Sequence, residues 1–545
     1  MTQRKRILAV TAALLLVGTV ATALFIGCAC EAPNRVHMLQ SEDAYARAAY
    51  APLPAATEEL PQGHNTETYD HIEENTFRRV AEHPLSTFSI DVDTASYANM
   101  RRFLNNGQLP PAGAVRIEEL VNYFDYAYAP PPTDSEHPFA AHAEVASCPW
   151  APKHRLVKIG LRGKDVSFEQ RPPCNLVFLL DVSGSMKNRN KLPLVKKAMK
   201  MLVEKLNSRD RIAICVYAGA AGRVLDSTTC DDRKEVLSAL DRLEAGGSTN
   251  GAAGIDLAYQ TARENYITGG INRVILCTDG DFNVGNTSRS GLVGLVRKQT
   301  RNGVYLTVLG FGMGNYKDAM MEEISNRGNG NYAYVDSERE ARKVLVEQIN
   351  STLVTIAKDV KIQIEFNPAE VAAYRLIGYE NRLLNDEDFN DDTKDAGEIG
   401  AGHTVTALYE VVPAGGEIPA PQVDELRYQQ QPTVTPAADS GEMLTLKLRY
   451  KQPDGETSTL MTQRVVDAGT AINAASEDLR FAAAVACFGM LLRDSDYAGN
   501  YTLDAVEELA EASRGKDTGG YRKEFVELIQ TARKVASKGG LAARE

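Results

Sequence analysis

Histidine is scarce in this chain and missing from its middle. The eight residues are His37, His64, His71, His83, His137, His142, His154 and His403, so none falls between positions 155 and 402. A serine nucleophile in that stretch would need a base from another part of the molecule. No HExxH, no paired Cys-Cys metal spacing and no nucleophile elbow occurs, which removes the common motif-borne hydrolases. The glycine-rich stretches at 310–315 and 328–332 are not followed by Lys-Ser or Lys-Thr, so they read as turns rather than a P-loop, and no nucleotide is expected. Basic runs are short. Only Arg4-Lys5-Arg6 stands out, and the net charge of -12 speaks against a nucleic-acid surface.

Cysteine is thin too, with eight in 545 residues. Cys215 and Cys277 lie in apolar strand-like runs and Cys487 in an apolar helical run, where a buried free thiol is expected. Cys30, Cys148, Cys174 and Cys230 show no spacing of the kind small secreted domains use, though one disulfide among them stays open. Internal repeats are absent. The length suits about three or four domains with ample core.

What is present begins with an export signal. Arg4-Lys5-Arg6 precedes an apolar stretch over 7–27, a positive n-region followed by an h-region. The stretch ends Leu24-Phe-Ile-Gly-Cys28, which resembles a bacterial lipobox with Cys28 as the lipidated residue; Phe25 stands where leucine is usual. The same run is long enough to span a bilayer as an uncleaved anchor. Both readings tether the chain outside the cytoplasm with its positive end inside. Ala29 after the cysteine resembles a signal for the outer membrane, where there is one. Residues 29–65 are rich in Ala, Pro, Glu and Gln and read as a flexible tether.

The chemistry-bearing residues sit on three later loops. Asp181, Ser183 and Ser185 (FLLDVSGSM) directly follow an apolar run over 175–180 that reads as a buried parallel strand. Asp279 (ILCTDGD) follows a second such run over 274–278. Thr249 (AGGSTNG) stands behind Gly246-Gly247, glycines that let a loop approach closely. In an open α/β sheet, loops at the carboxyl edge hold ligands at a switch point. Two carboxylates and three hydroxyls suit a hard divalent cation, Mg2+ or alternatively Mn2+ or Ca2+, with coordination positions left for water or an outside ligand. The bland alternative is that Ser, Thr and Asp here cap helices and fill turns.

DxSxS, a later Thr and a later Asp in TDG resemble the metal-ion-dependent adhesion site of von Willebrand factor type A (VWA) domains, and all five family positions match. Alternation of strand and helix over 174–350 agrees with a doubly wound, mostly parallel, Rossmann-like α/β sheet. The resemblance implies that Ser183, Ser185 and Thr249 ligate the ion, that Asp181 and Asp279 act through water, and that an Asp or Glu of a protein ligand completes the octahedron. It also implies a switch, in which the last helix, about 337–350, slides along the sheet and the link over 351–358 transmits the motion.

Around this domain, 66–132 is expected to form a small domain that resembles the one preceding the VWA domain in a family of bacterial lipoproteins. It holds a strand over 87–92, a helix capped by Thr94 or Ser96, and a second helix over 115–124. Asp91 and Asp93 lack the glycine and downstream Glu of a calcium loop, so capping is preferred there. A β segment over 138–170 and a β-rich region over 358–468 are expected to join into one sandwich with the VWA domain inserted; a separate C-terminal β domain is the alternative. A helical region closes the chain over 470–545, with helices at 477–492, 503–513 and 521–538.

The functional expectation is a non-enzymatic, metal-dependent protein-binding lipoprotein of the bacterial cell envelope. It would bind a protein carboxylate, be held to a membrane by its lipid, and take neither nucleic acid nor nucleotide. Two other classes stand beside it: an envelope assembly or scaffold factor with a structural metal, and a metal-dependent hydrolase in which the ion activates water.

Overall fold

The computed structural model describes residues 67–90, 93–280, 289–313, 317–420 and 434–538. The chain divides into two units, Met1–Gln62 and Gly63–Glu545, and all described residues belong to the second. The export signal, Cys28, Cys30, the tether and Asp91 lie outside the described residues.

A six-stranded sheet positions the site. Its order is Tyr332–Val335, Tyr305–Phe311, Ile271–Thr278, Cys174–Asp181, Arg211–Tyr217 and Ala221–Thr229. The first five run parallel, and only Ala221–Thr229 is antiparallel to its neighbour. Cys174–Asp181 is buried at every position, as a strand covered on both faces requires. The chain leaves this strand to one side, toward Arg211–Tyr217, and later returns on the other with Ile271–Thr278. The order therefore reverses at Asp181, which is where such sheets open a crevice. Helix Leu192–Lys205 covers one face with Val195, Ala198, Met199 and Leu202, and carries Pro193 in its first turn, where a missing N–H costs little. Helix Gly251–Glu264 covers the other face with Ile255, Ala258, Tyr259 and Ala262. Gly254 permits this approach, since a Cβ there would lie 2.8 Å from Tyr217 Cβ.

Strands on either side of this α/β unit pair with each other. Arg155–Gly163 runs antiparallel to Phe139–Ser147 on one edge and to Thr404–Pro413 on the other, with Leu161 opposite Val405. Val371–Ile377 and the short Arg78–Arg79 extend that sheet. A second antiparallel sheet holds Gly397–Gly400, Thr355–Phe366, Leu444–Lys451 and Thr459–Val465, with Leu85–Ser89 also paired to Thr355–Phe366. The two share one core through Ile159, Val405, Ile364 and Leu446, and Phe366 stacks on Tyr374 at 4.1 Å between ring centroids. The α/β unit is thus inserted between strands of a β-sandwich, as the flanking β segments implied.

Helices Glu477–Leu492 and Tyr521–Lys538 pack on the N-terminal helices Ile117–Asn122 and Ala95–Asn105 around Phe124, Phe481, Phe488 and Phe525, and Leu503–Ala512 packs on those two C-terminal helices. Arg101, buried, joins three segments: it donates to Asp336 at 2.6 and 2.8 Å, to Glu340 at 2.8 Å and to Glu524 at 3.2 Å. Six described cysteines, Cys148, Cys174, Cys215, Cys230, Cys277 and Cys487, are buried free thiols.

Three local expectations are corrected. Thr94 occupies the N-cap position but makes no capping hydrogen bond; the Ser96 amide donates instead to Glu119 Oε2 at 2.7 Å, a longer side chain reaching the same orphan donor. Asp93 accepts from the Tyr332 amide at 2.7 Å and so ties the N-terminal segment to an edge strand of the sheet. The last helix of the α/β unit is not continuous. It runs as Glu338–Arg342, a π-helical turn Lys343–Glu347, and Ile349–Leu353, and the next strand starts at Thr355, so the span 351–358 is made of a helix end and a strand start.

Candidate metal centre

Asp181 is the last residue of its strand, paired in register with Tyr217, while Leu180 pairs with Cys277. That register brings Asp181, Tyr217, Thr278 and Asp279 to one sheet edge. Asp181 and Asp279 are both fully buried. The Ser183 amide donates to Asp181 Oδ1 at 2.8 Å, and the Ser183 and Ser185 hydroxyls stand 3.0 Å apart. Thr278 Oγ1 lies 3.5 Å from Asp181 Oδ2 and accepts from the Gly280 amide at 3.1 Å.

The threonine loop is held against the serine loop through backbone. Gly184 N donates to Gly247 O at 3.0 Å, and Gly246 N donates to Val182 O at 2.7 Å. Gly247 takes φ +83°, a left-handed conformation that glycine adopts freely. Thr249, half-buried, follows two residues later. The structure thus links Asp181 to Ser183 and Ser183 to Ser185, holds the loop that leads to Thr249 against the serine loop, and sets Asp279 just past the end of the neighbouring strand.

Burial pushes the Asp181 carboxyl up to about 6, partly offset by hydrogen bonds from Ser183 and then raised further by the Asp279 charge. Its described hydrogen-bond partners are neutral donors. A carboxylate so buried is costly unless a cation compensates it, and the donor set around it is all oxygen. The residues therefore fit a hard divalent ion. Among the described residues no group of three His, Cys, Asp or Glu side chains is arranged for a metal, so any ion here would depend on hydroxyl donors.

Two residues of the site were not foreseen. Tyr217 sits fully buried at the sheet edge beside Asp181, its phenol pushed well up by burial and then by the Asp181 charge. Lys191 donates its ammonium to Asp279 Oδ2 at 2.8 Å. A lysine in the first turn before an amphipathic helix reads in sequence as a solvated side chain. Only the adjacency of strands distant in sequence turns it inward.

Comparison with known proteins places the chain. A family model described as von Willebrand factor type A domain matches residues 175–352, and one described as von Willebrand factor matches residues 63–158. A third, described as "Uncharacterized protein YfbK, C-terminal", matches residues 351–535. YfbK of Escherichia coli (strain K12) is 45% identical over 499 residues, covering 91% of this chain and 85% of the relative. Inter-alpha-trypsin inhibitor heavy chain H4 of Sus scrofa is 29% identical over 174 residues, covering 30% of this chain and 19% of its own length. Among solved structures, von Willebrand factor type A from Catenulispora acidiphila covers 74% of this chain and 92% of its own at 14% identity, with a TM-score of 0.39. Its inserted α/β sheet and its likeness to YfbK along most of both sequences show that the chain belongs to the YfbK family of VWA domain proteins.

Proposed function

We propose that this chain is a divalent-metal-dependent protein-binding protein of the bacterial envelope, holding Mg2+, Mn2+ or Ca2+ among Asp181, Ser183, Ser185, Thr249 and Asp279. The observation that carries this reading is a fully buried Asp181 carboxylate beside two serine hydroxyls 3.0 Å apart, at the point where the strand order reverses. VWA domains serve metal-dependent protein interaction, and that general role agrees with the site.

When bound, the ion would supply a Lewis-acidic position for a carboxylate of a protein ligand. The chain's own residues have defined tasks. Ser183, Ser185 and Thr249 offer neutral oxygens. Asp181 holds the serine loop through the Ser183 amide, and the Gly246–Gly247 hydrogen bonds fix the threonine loop against it. No histidine stands in the domain's sequence to act as a base, which supports a binding role over hydrolysis.

The envelope part of the proposal rests on the sequence over 1–28, with Cys28 as the lipid-bearing residue and an outer-membrane address where that membrane exists. Among the described residues no helix is long and apolar enough to cross a membrane. Cys28→Ala is expected to move the protein out of detergent-dependent membrane fractions; retention in membranes with an uncleaved signal would favour the anchor reading instead. For binding, the chain from residue 31 is used to capture proteins from envelope extracts in Mg2+ and in EDTA. A partner held in Mg2+, released by EDTA and not captured by Asp181→Ala is expected. Capture unaffected by EDTA would make the metal a structural clip at most.

A further inference from the structure

Lys191 has a route built for it. The residue is 4% exposed, and its stem runs under Gly312, where a Cβ would lie 2.4 Å from Lys191 Cε and 2.5 Å from Cγ. Gly312 also takes φ +77°, and its carbonyl accepts from the Tyr334 hydroxyl. Gly312, just past strand Tyr305–Phe311, thus lines the path of the lysine stem, and Tyr334 holds the Gly312 carbonyl. A lysine near a protein surface ordinarily extends its head into water, because burying the charge is costly. Here the head is turned inward, onto one of the two carboxylates of the candidate metal centre.

The charge count changes what that centre can hold. Asp181 and Asp279 alone would neutralise a divalent ion. With Lys191 the three side chains sum to a single negative charge, so a divalent ion leaves one positive charge over. Coulomb repulsion from the ammonium then opposes a bare cation, while the excess charge attracts an incoming anion. We propose that Lys191 couples the two binding events, weakening the metal alone and strengthening joint capture of the metal and an acidic side chain. The inference rests on the metal-binding reading above. It also bears on the ligand of that reading: the extra positive charge favours a carboxylate more than a neutral amide or hydroxyl, whose dipole gains less.

The test titrates Mn2+ into the full chain, with free Mn2+ read by its paramagnetic resonance signal, in chloride and in acetate at equal ionic strength. Wild type is expected to bind Mn2+ several-fold more tightly in acetate. Lys191→Met is expected to bind Mn2+ in chloride roughly tenfold more tightly than wild type and to lose the acetate effect. Lys191→Gln is carried alongside, with far-ultraviolet circular dichroism as the check of folding, and decides the matter where the methionine variant fails to fold. Wild type and variants with equal affinities and equal acetate effects would overturn the coupling while leaving the metal centre intact. Wild type binding no more Mn2+ than Asp181→Ala would overturn the metal reading, and the coupling with it.

Discussion

At the scale of single residues, burial decides which charges the fold must manage. Arg171 and Asp210 are both 0% exposed and form two hydrogen bonds, at 2.8 and 2.6 Å, beneath the first strand of the VWA sheet. Asp210 also accepts from the Cys174 amide at 2.9 Å, so the pair anchors the strand that carries Asp181. Arg171→Met, which leaves the carboxylate buried and unpaired, should cost about 3–5 kcal/mol in urea unfolding. A loss below about 1 kcal/mol would mean that water reaches the pair.

His403 offers a pH signature. It is half-buried, its Nδ1 is enclosed with no hydrogen-bond partner among the described residues, and burial pushes the imidazole down to about 4. An unfolded histidine titrates near 6.5. Between about 6.5 and 4 the unfolded chain therefore binds more protons than the folded one, and stability falls as pH is lowered through that window. Because the ring is partly exposed, the effect is set at about 1–3 kcal/mol rather than the full shift. His403→Gln should remove that component, read as a smaller gap between urea midpoints at pH 7 and pH 4.5. An unchanged gap would show that His403 is charged in the folded state.

At the scale of elements, the part of the VWA domain that the family resemblance makes mobile is joined to the N-terminal segment by buried contacts. The acceptors of Arg101, Asp336 and Glu340, lie before and within helix Glu338–Arg342, and Lys343 places its ammonium 3.4 Å from the centre of the Tyr123 ring. Sliding this helix would break both contacts, which join it to the N-terminal segment. Arg101→Met should destabilise the chain by about 3–5 kcal/mol and speed amide exchange in both Glu338–Leu353 and Tyr521–Lys538. Faster exchange confined to one of them would show that Arg101 does not link the two.

The site's elements differ in how openly the sequence announces them. Strands Cys174–Asp181 and Ile271–Thr278 contain the unbroken apolar runs 176–180 and 274–277, each followed closely by an Asp-bearing turn, and their chemistry is local. Ala221–Thr229 escaped notice because, as an edge strand, it buries only Leu225 and shows no clear alternation. The π-helical turn has no sequence mark; in the fold its Lys343 ammonium lies over the Tyr123 and Tyr521 rings. Lys191 was hidden for a related reason: its partner lies 88 residues away and its channel depends on Gly312.

At the scale of the whole molecule, the inserted VWA domain and its host sandwich are not independent bodies. One apolar core runs from Val195 and Leu202 through Val344 and Leu353 to Ile362 and Leu446. Ala95 and Ala98 of the N-terminal helix enter a second core, on the other face of the VWA sheet. The two ends of the insertion also meet, because a Cβ on Gly163 would lie 2.8 Å from Ile356 Cδ1. Calorimetry on the chain from residue 31 should therefore show a single unfolding transition. Two separated transitions would mean that the shared cores contribute little to cooperativity.

Whether Asp181 and its neighbours form a metal centre is tested most simply by thermal unfolding of wild type and Asp181→Ala in millimolar Mg2+ and in EDTA. An ion that binds only the folded chain raises the transition by mass action, about 2.7 kcal/mol at a hundredfold excess over Kd. Wild type should unfold several degrees higher in Mg2+ than in EDTA, and Asp181→Ala should show the same transition in both. Equal gains from Mg2+ in the two proteins would contradict a metal centre at Asp181, because the stabilising ion would then sit elsewhere.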